Sequence, residues 1–419
     1  MNAPKALIIG AGVAGLTAAT ELADLGIDII LVEKSLFPGG HAAQLACKAL
    51  DACVHCGACL LEEKLSKTLI HPRIKLFTTA QVTALYPSAK ADGNSLYQAT
   101  IQQDTPYIDA ARCDNCGACF DQCPHKGAVL RGTSAHHQPF FAIDKHHCHY
   151  FMNNDCRECE PVCPVNAIDL DRHSSSNVFD VGAVIATTGF SPFNPSEKPY
   201  GHGGFADVIT TLEAERMLRE KGSITRPSDG ERPKQVAFIQ CVGSREKKLN
   251  HLWCSKICCG TSLRLARRIK REAPETDLCV FYIDIQTFGK DFGSFLNHAE
   301  EEIRFKRIIP ADIFETSEGG LQVNYFDTVD GNNGQSMFDL VVLAIGLTPP
   351  KDMAALSKLT GLNQTPDGFF EPVENFLERN DGLFACGTAT GPASIAETMA
   401  QAGTVALAVF KNLKGQIDS

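Results

Sequence analysis

The amino-acid sequence predicts an α/β protein with two parallel-sheet domains and a cysteine-rich insertion. Apolar strands that run into glycine turns occur near the start of the chain, in its middle and near its end, which is the pattern of doubly wound sheets. The chain has 419 residues and 18 cysteines, and sixteen of these cysteines fall in three dense groups. In a reducing compartment such grouping indicates metal binding or redox chemistry rather than disulfides.

The first strand and helix carry a dinucleotide-binding turn. A strand at Lys5–Ile9 is followed by Gly10, Gly12 and Gly15 in a GxGxxG arrangement, and then by a helix that we expect to reach about Leu25. One glycine makes the tight turn, one lets the backbone approach a pyrophosphate and one lets the helix pack on the strand. Amides at the helix N-terminus can bind the phosphates. These features predict dinucleotide binding.

Later segments favour FAD over NAD as the dinucleotide. A second strand, Ile27–Val32, ends at Glu33, whose carboxylate can bind a ribose hydroxyl. We also expect strands at Phe179–Gly189 and Phe338–Gly346, and a helix of small residues at about Ser394–Leu413. These segments resemble those of the thioredoxin-reductase type of flavin disulfide oxidoreductase.

The candidate FAD-binding residues come from four separated parts of the chain. In the C-terminal part, the thioredoxin-reductase type usually has Asp where this chain has Thr388. The candidates are Gly10, Gly12, Gly15, Glu33, Lys34, Gly40, His41, Gln44, Gly189, Gly387 and Thr388.

Between the two parts of the predicted FAD domain lies a segment with the cysteine spacing of bacterial ferredoxins. It contains two runs that each end in Cys-Pro, and the second run is stretched at His149–Asp155. In two-cluster ferredoxins the fourth cysteine of each run binds the other cluster. The predicted [4Fe–4S] ligands are therefore Cys113, Cys116, Cys119 and Cys163 for one cluster, and Cys148, Cys156, Cys159 and Cys123 for the other. The alternative, a zinc ribbon, would use two CxxC pairs around one four-thiolate site.

A second dinucleotide-type domain is expected near residue 234, without the turn that NAD(P)H would need. The predicted elements are a strand at Lys234–Gln240, a helix over Lys256–Arg271 and a strand at Leu278–Ile285. The turn after the first strand has Gly243 alone, and a third group of thiols stands there instead: Cys241, Cys254, Cys258 and Cys259. Amides at a helix start favour an anionic centre. The spacing alone leaves both a metal site and buried free cysteines open.

Several segments resemble the heterodisulfide reductase A-subunit (HdrA) family, in order and over nearly the whole chain. They are Val32-Glu-Lys, Gly39-Gly-His-Ala-Ala-Gln-Leu, Val208-Ile-Thr-Thr-Leu-Glu-Ala-Glu-Arg, Phe238-Ile-Gln-Cys-Val-Gly-Ser-Arg, Trp253-Cys-Ser-Lys-Ile-Cys-Cys and Phe281-Tyr-Ile-Asp-Ile-Gln-Thr-Phe-Gly-Lys. The resemblance implies a thioredoxin-reductase-like flavoprotein with two dinucleotide domains and an inserted two-[4Fe–4S] ferredoxin domain. It also implies that the third cysteine group holds a non-standard [4Fe–4S] cluster beside the flavin.

The chain resembles the short members of this family, because the long members add an N-terminal domain and a C-terminal ferredoxin domain. Short members include the A subunit of the quinone-interacting oxidoreductase and the HdrA-like component of benzoyl-CoA reductase complexes. The family commonly has lysine near the reactive flavin nitrogen where this chain has Arg264, which keeps the charge but does not readily give up a proton. Arg264 and Glu213 are the flavin-proximal candidates, and both simple electron relay and flavin-based bifurcation or confurcation stay open.

The first cysteine group follows the Gly39-Gly40 turn, where disulfide-type flavoenzymes place redox cysteines against the flavin. Its members are Cys47, Cys53, Cys56 and Cys59. The resemblance covers the last two, whereas the first two are additions to the family pattern. Three interpretations are open: a further [4Fe–4S] cluster, a redox-active thiol pair, and reduced structural thiols.

Composition limits other function classes. The formal net charge of −10 argues against a general nucleic-acid binder, and we interpret the basic run that begins at Arg264 as a solvated helix face. No signal peptide precedes the first strand and no apolar stretch is long enough to span a bilayer. We therefore expect a cytoplasmic protein that reaches a membrane only through partner subunits.

These features predict an FAD and iron–sulfur electron-transfer subunit of a multisubunit anaerobic oxidoreductase complex. The expected partners are other redox subunits of a heterodisulfide-reductase-like complex, ferredoxin and a second copy of the chain. The alternatives are a self-sufficient NAD(P)H-dependent iron–sulfur flavoprotein oxidoreductase and a scaffold that merely keeps the cofactor-binding geometry. The expected domains are an FAD-binding domain (1–106, 173–230 and 349–419), a ferredoxin-like insert (107–172) and an NAD(P)-type domain whose cysteines replace the nicotinamide site (231–348).

Overall fold

The computed structural model describes residues 4–49, 52–88, 96–104, 107–109, 112–133, 139–286, 289, 292–317, 319–327, 331–372 and 381–415. The expected domain boundary at residue 106 lies outside these ranges, as do three residues of the motif that begins at Phe281 (287, 288 and 290).

The strands and helices alternate through both large domains. The strands are β1 (Lys5–Ile9), β2 (Asp28–Val32), β3 (Ile74–Phe77), β4 (Ala80–Pro87), β5 (Tyr97–Gln103), β6 (Val129–Thr133), β7 (Pro139–Ile143), β8 (Ser175–Val181), β9 (Ala183–Ala186), β10 (Ser191–Pro192), β11 (Val208–Thr210), β12 (Gln235–Val242), β13 (Asp277–Phe281), β14 (Arg304–Lys306), β15 (Asp312–Glu315), β16 (Leu321–Asp327), β17 (Asn332–Phe338), β18 (Leu340–Ile345), β19 (Leu347–Thr348) and β20 (Leu383–Ala385). The helices are α1 (Val13–Asp24), α2 (Ala58–Ile70), α3 (Ala118–Asp121), α4 (His149–Asn153), α5 (Thr211–Lys221), α6 (Cys258–Glu272), α7 (Phe292–Glu302), α8 (Met353–Thr360) and α9 (Ile395–Gly415).

The first domain is built on a parallel sheet with strand order β20-β9-β1-β2-β3. Its strands are almost wholly apolar because both faces are covered. On one face, Leu16 of α1, Leu61 of α2 and Val405 of α9 belong to one buried cluster. On the other face, an antiparallel sheet with order β4-β5-β8 contributes Ile101 to a second cluster. This layering leaves the carboxyl ends of the parallel strands as the place for a ligand.

The second domain repeats the plan with a parallel sheet of order β11-β18-β12-β13-β14. Leu263 of α6 and Phe292 of α7 pack on one face with Phe238 of β12. The antiparallel sheet β15-β16-β17 covers the other face, where Phe281 and Phe338 meet. None of the helices in the described part of the chain combines the length and apolar character that a bilayer span requires.

The cysteine-rich segment forms a small unit between two neighbouring strands. It leaves the first domain after β5 and returns at β8, and these strands pair so that Gln103 lies opposite Ser175. Its own buried cluster includes Ile108, Ile168, Leu170 and several cysteine side chains. The segment is therefore an insertion into an intact antiparallel sheet.

Three expected strands are divided or end early in the structure, whereas β2 and β12 differ from the expected bounds by one or two residues at an end. The run Phe179–Gly189 is divided at Gly182, because β8 belongs to the antiparallel sheet and β9 to the parallel sheet. The run Phe338–Gly346 is divided at Asp339, whose carboxylate accepts the backbone N–H groups at the start of β12. The strand expected at Leu278–Ile285 ends at Phe281. The hydrophobic pattern does not reveal where the two divided runs are interrupted, because apolar residues stand on both sides of each interruption.

Candidate functional site

The glycine turn after β1 has the geometry that a pyrophosphate site needs. Gly10 has a φ of +109°, and a Cβ there would lie 2.5 Å from the carbonyl oxygen of Thr187. A Cβ on Gly15 would lie 1.9 Å from the carbonyl oxygen of Gly10, so the helix packs closely on the turn. Gly12, the N-cap of α1, has no such neighbour within 4 Å. The turn thus leaves an open approach to the amides at the start of α1.

Glu33 closes this turn from the end of β2. Its side chain is buried, with Oε2 accepting the backbone N–H of Ala11 and Oε1 that of Ser35, both at 2.8 Å. The hydroxyl of Ser35 also donates to Oε1, so Oε2 is the carboxylate oxygen that keeps a further lone pair for a ribose hydroxyl. Lys34 points elsewhere, into an exposed ion pair with Asp352 at 2.8 Å.

The loop after β2 brings His41 against the glycine turn. The Gly39 N–H donates to the carbonyl of Ala11 at 2.7 Å. His41 Nε2 lies 3.0 Å from the carbonyl oxygen of Phe190, and burial lowers the pKa of this imidazole. A neutral ring that donates through Nε2 presents Nδ1 as an acceptor. Nδ1 is buried without a protein partner.

The FAD candidates from the later parts of the chain meet at the ends of β9 and β20. A Cβ on Gly189 would lie 3.8 Å from the hydroxyl of Thr388, so these distant residues are neighbours. Gly387 donates its N–H to Gln401 of α9 at 3.1 Å. The hydroxyl of Thr188 is buried and unpaired, like His41 Nδ1. Buried polar atoms normally have a partner, so these two atoms fit a bound polar ligand, as FAD would be.

Two other candidate FAD-binding residues, Gln44 and Gly40, lie in the loop after β2 and contact neighbouring protein groups. Gln44 accepts from Nε of Arg216 at 2.7 Å. Gly40, with φ of +59°, approaches the glycine turn so closely that a Cβ on it would lie 3.3 Å from Cα of Gly12.

The eight cysteines of the insert are the predicted ligands of two clusters, and their crossed assignment stays a prediction. Burial raises the pKa of Cys119 to about 11 and that of Cys159 to about 12. Cys119 interacts electrostatically with Cys113, Cys163 and Cys116, and Cys148 interacts with Cys156 and Cys123. Cys159 interacts both with Cys148 of its own predicted set and with Cys119 of the other. The backbone N–H of Ala167 points at Cys163 Sγ at 3.2 Å, as a thiolate ligand requires. The donor set fits two iron–sulfur clusters.

The third cysteine group stands where β12 ends and α6 begins. The pairing of β12 with β18 shifts between Ile239 and Val242, and Cys241 has a φ of +60°. Such a bulge re-aims a side chain. Burial raises the pKa of Cys241 to about 11, and Cys258 and Cys259 open α6.

Neighbouring groups fit an anionic centre at this position. The four thiols interact with one another electrostatically. The N–H of Lys256 points at Cys254 Sγ at 3.3 Å, and Arg245 lies close enough to offset part of the effect of burial on the pKa of Cys241. Gln240 is buried with both polar side-chain atoms unpaired.

The turn that would bind NAD(P)H phosphates is filled by side chains. A Cβ on Gly243 would lie 2.2 Å from the ring of Phe193. The hydroxyls of Ser244 and Ser255, 2.5 Å apart, occupy the adjoining space beside Gly346. In the first domain a phosphate can approach the backbone at Gly12, whereas side chains block the corresponding approach at Gly243 in the second domain.

The first cysteine group opens onto the protein surface. Cys47, Cys53 and Cys59 are exposed and Cys56 is half-buried. Burial raises the pKa of Cys59, and the other three thiols contribute, so the four lie together. Among the described residues, no three Cys, His, Asp or Glu side chains of any group converge on one point as ligands of a single ion would.

The two flavin-proximal candidates, Arg264 and Glu213, have partners of their own. Arg264 donates through Nε to the carbonyl of Val54 at 2.7 Å, within the first cysteine group. Glu213 forms the capping box of α5 with Thr210 and contacts His202 at 3.1 Å. These contacts account for both side chains, and a role at the flavin stays a prediction.

Sequence reasoning missed three residues beside the cysteines. Phe193, Gln240 and Lys48 each lie next to a predicted site, the last in a buried ion pair with Glu215 at 2.6 Å. Gln240 and Lys48 directly adjoin Cys241 and Cys47 in the sequence, and that adjacency was the available signal. Nothing in the sequence connects Phe193 with the turn of the second domain.

Comparison with known proteins identifies the parts of the fold. Residues 8–55 match the family described as an NAD(P)-binding Rossmann-like domain, and residues 106–126 match a 4Fe-4S binding domain. Thioredoxin reductase from T. acidophilum aligns with a TM-score of 0.53 at 14% identity, covering 97% of each chain. The enzyme from Lactococcus lactis aligns with a TM-score of 0.53 at 14% identity, covering 98% of this chain and 99% of its own. The class is therefore a thioredoxin-reductase-like fold with an inserted 4Fe-4S domain.

Sequence relatives narrow the class to a family. The A subunit of the H(2):CoB-CoM heterodisulfide,ferredoxin reductase of Methanothermobacter marburgensis is 35% identical over 99% of this chain and 65% of its own length. The iron-sulfur A subunit of the CoB--CoM heterodisulfide reductase of Methanocaldococcus jannaschii is 38% identical over 96% of this chain and 63% of its own length. The chain belongs to the heterodisulfide reductase A-subunit family. It spans slightly less than two thirds of the length of these relatives.

Proposed function

We propose that this protein is an electron-transfer subunit of a larger oxidoreductase complex, with FAD and [4Fe–4S] clusters as its cofactors. The observation that carries the proposal is the second domain, where Cys241, Cys258 and Cys259 stand at the strand end and helix start that NAD(P)H would use. The ring of Phe193 fills the turn beside them. A flavin in the first domain would then exchange electrons through sulfur ligands instead of receiving hydride.

The residues of the first domain would hold FAD by charge-dipole and hydrogen-bond contacts. The start of α1 supplies amides for the pyrophosphate, and Glu33 holds the turn in shape and accepts from the ribose. His41 and Thr188 offer a buried acceptor and a buried hydroxyl. When bound, FAD takes up or gives two electrons, and the clusters carry them singly.

Three clusters follow from the cysteine sets. The proposed ligands are Cys113, Cys116, Cys119 and Cys163 for the first, Cys148, Cys156, Cys159 and Cys123 for the second, and Cys241, Cys254, Cys258 and Cys259 for the third. Amide N–H groups directed at sulfur, such as those of Ala167 and Lys256, stabilise thiolate ligands and tune their potential.

The partners in this proposal are redox proteins. Two relatives are named for heterodisulfide reduction, and one of those names includes ferredoxin. We propose that this chain exchanges electrons with ferredoxin and with further redox subunits in the cytoplasm, as a dimer within a larger complex.

Anaerobic absorbance spectroscopy of the reconstituted protein tests the proposal. We expect that neither NADH nor NADPH bleaches the flavin band, because the second domain offers no pyrophosphate turn, whereas reduced ferredoxin bleaches it. An NADPH-dependent thioredoxin reductase, bleached under the same conditions, is the positive control. Bleaching by NADH or NADPH alone would favour the self-sufficient oxidoreductase, and a colourless reconstituted protein would favour a scaffold.

A further inference from the structure

The loop of the first cysteine group shares its cysteine spacing and two left-handed residues with a ferredoxin loop of the insert. Cys53-Val-His-Cys-Gly-Ala-Cys matches Cys113-Asp-Asn-Cys-Gly-Ala-Cys in spacing and in its last four residues. The glycine before each helix has nearly the same dihedral angles, φ 77° and ψ −1° for Gly57 and φ 83° and ψ −1° for Gly117. A helix begins at the next residue in both.

The left-handed residue inside each loop strengthens this equivalence. His55 has a φ of 51° and Asn115 has a φ of 61°, both two residues after the first cysteine. This conformation is unfavourable for histidine because its Cβ lies too close to the following carbonyl oxygen. The turn directs the N–H of His55 at Cys53 Sγ, 3.4 Å away. The same contact joins Lys256 to Cys254 in the third group, at 3.3 Å.

A fourth donor, Cys47, is held in place from the second domain. The N–H of Ala46 donates to Glu215 Oε2 at 2.9 Å, and Lys48 binds Oε1 of the same carboxylate at 2.6 Å. Ala46, Lys48 and Glu215 are buried, while Cys47 between them is exposed. Successive side chains of an extended backbone point in opposite directions, so the side chain of Cys47 points away from Glu215.

Cations of α6 secure the loop and balance its charge. Arg264 donates to the carbonyls of Val54 and His55 at 2.7 and 3.4 Å, and Arg268 donates to that of Ala49 at 3.0 Å. Arg264 also interacts electrostatically with Cys56 and Cys53. A fixed guanidinium beside four thiolates offsets part of their mutual repulsion.

We propose that Cys47, Cys53, Cys56 and Cys59 ligate a fourth [4Fe–4S] cluster at the surface of the protein. A redox-active thiol pair would need only two cysteines, whereas a cubane cluster needs four thiolates, of which a CxxCxxC loop supplies three and Cys47 here supplies the fourth. The loop lies on α6, whose first two residues are Cys258 and Cys259. In the proposed function, this surface cluster would be the point where a one-electron partner approaches. Its physiological role, but not its presence, rests on that proposed function.

Iron and acid-labile sulfide per FAD, measured on the anaerobically purified and reconstituted full chain, test the site. We expect about sixteen irons in the wild type and about four fewer in Cys53→Ser, since one cluster holds four irons. Cys113→Ser, at the equivalent position of the insert loop, is the positive control and loses the same number. Leu60→Ser is the matched control, because it changes an exposed residue beside Cys59 without removing a sulfur ligand.

A Cys53→Ser protein with the iron content of the wild type would overturn the proposal. The wild type gives an independent result that does not depend on the folding of any variant. About twelve irons in fully reconstituted wild type, or zinc without sulfide in this group, would overturn it as well. Bleaching by NADPH would contradict the electron-relay proposal but would leave the iron difference unchanged, so the two failures are distinguishable.

Discussion

At the residue scale, the buried ion pair between Lys48 and Glu215 is the contact on which the first cysteine group depends. The two side chains are 3% and 1% exposed and 2.6 Å apart. Removing one partner of such a pair leaves an uncompensated buried charge, which costs about 3–5 kcal/mol. We therefore expect Lys48→Met to lower the thermal unfolding midpoint of the holoprotein strongly.

A matched exposed pair provides the control for this prediction. Lys67 and Glu63 of α2 are 58% and 64% exposed at 2.7 Å, and Lys67→Met should lower the unfolding midpoint far less, because solvent screens an exposed ion pair. The double variant Lys48→Met/Glu215→Leu should recover most of the loss, because no buried charge is left. Equal melting of Lys48→Met and Lys67→Met would contradict the role of the pair.

The sequence predicts residues well where the chemistry is local. The roles of Gly10 and Gly15 follow from a motif of a few residues, and their close contacts agree with it. Arg264 and Arg268 were expected on a solvated helix face, yet both bind carbonyls more than 200 positions away in the chain. A spacing pattern along one helix contains no information about such a partner.

At the element scale, helix α3 and the segment that follows α4 hold protonated thiols, those of Cys119 and Cys159. Burial raises the pKa of Cys119 to about 11 and that of Cys159 to about 12. Iron binds thiolates, so cluster assembly must release these protons. Below its pKa, the thiolate fraction of a cysteine rises tenfold per pH unit. Assembly in the insert should therefore be faster at pH 8.5 than at pH 7.0, by up to about 30-fold for each deprotonation that limits the rate.

The measurement is the initial rate of acid-labile sulfide incorporation into the cofactor-free chain at several pH values. The rate of FAD binding over the same range is the control, because none of these thiols belongs to the proposed FAD site. A sulfide incorporation rate that does not change between pH 7.0 and 8.5 would contradict the prediction.

Elements were predicted more securely than their ends. β1 begins and ends as expected, and α1 ends one residue before the expected Leu25. The division at Gly182 was missed, because it depends on the change from an antiparallel to a parallel neighbour. That choice is made by tertiary pairing and leaves no mark on the hydrophobic pattern.

At the scale of the whole molecule, the chain combines two parallel-sheet domains of similar plan with an inserted cysteine-rich unit. Cysteine spacing and glycine turns predict this plan because each module has its own local pattern. The contact between the first cysteine group and α6 joins residues of different domains, and no local pattern encodes it. The domains are therefore separate modules, whereas the first cysteine group is held by contacts between two of them.

The insertion geometry leads to a prediction about deleting the insert. Gln103 and Ser175 are paired across β5 and β8, so the ends that a deletion creates are already adjacent. Replacing residues 107–172 by a short glycine-serine linker should leave the FAD domain folded, because the insert has its own core. We expect the shortened protein to retain FAD and to lose about eight irons, measured by absorbance and iron analysis.

The full-length variant Cys116→Ser/Cys156→Ser is the matched control, since it removes one proposed ligand from each cluster of the insert without shortening the chain. It should lose the same irons as the deletion. The exposed ion pair of Lys145 with Asp104, at 2.5 Å, is of the kind that contributes about 0–1 kcal/mol. The insert also contacts the first domain at Phe37, whose ring would lie 3.0 Å from a Cβ on Gly132. Loss of FAD from the shortened protein would therefore mean that the insert supports the flavin site directly, against the modular plan.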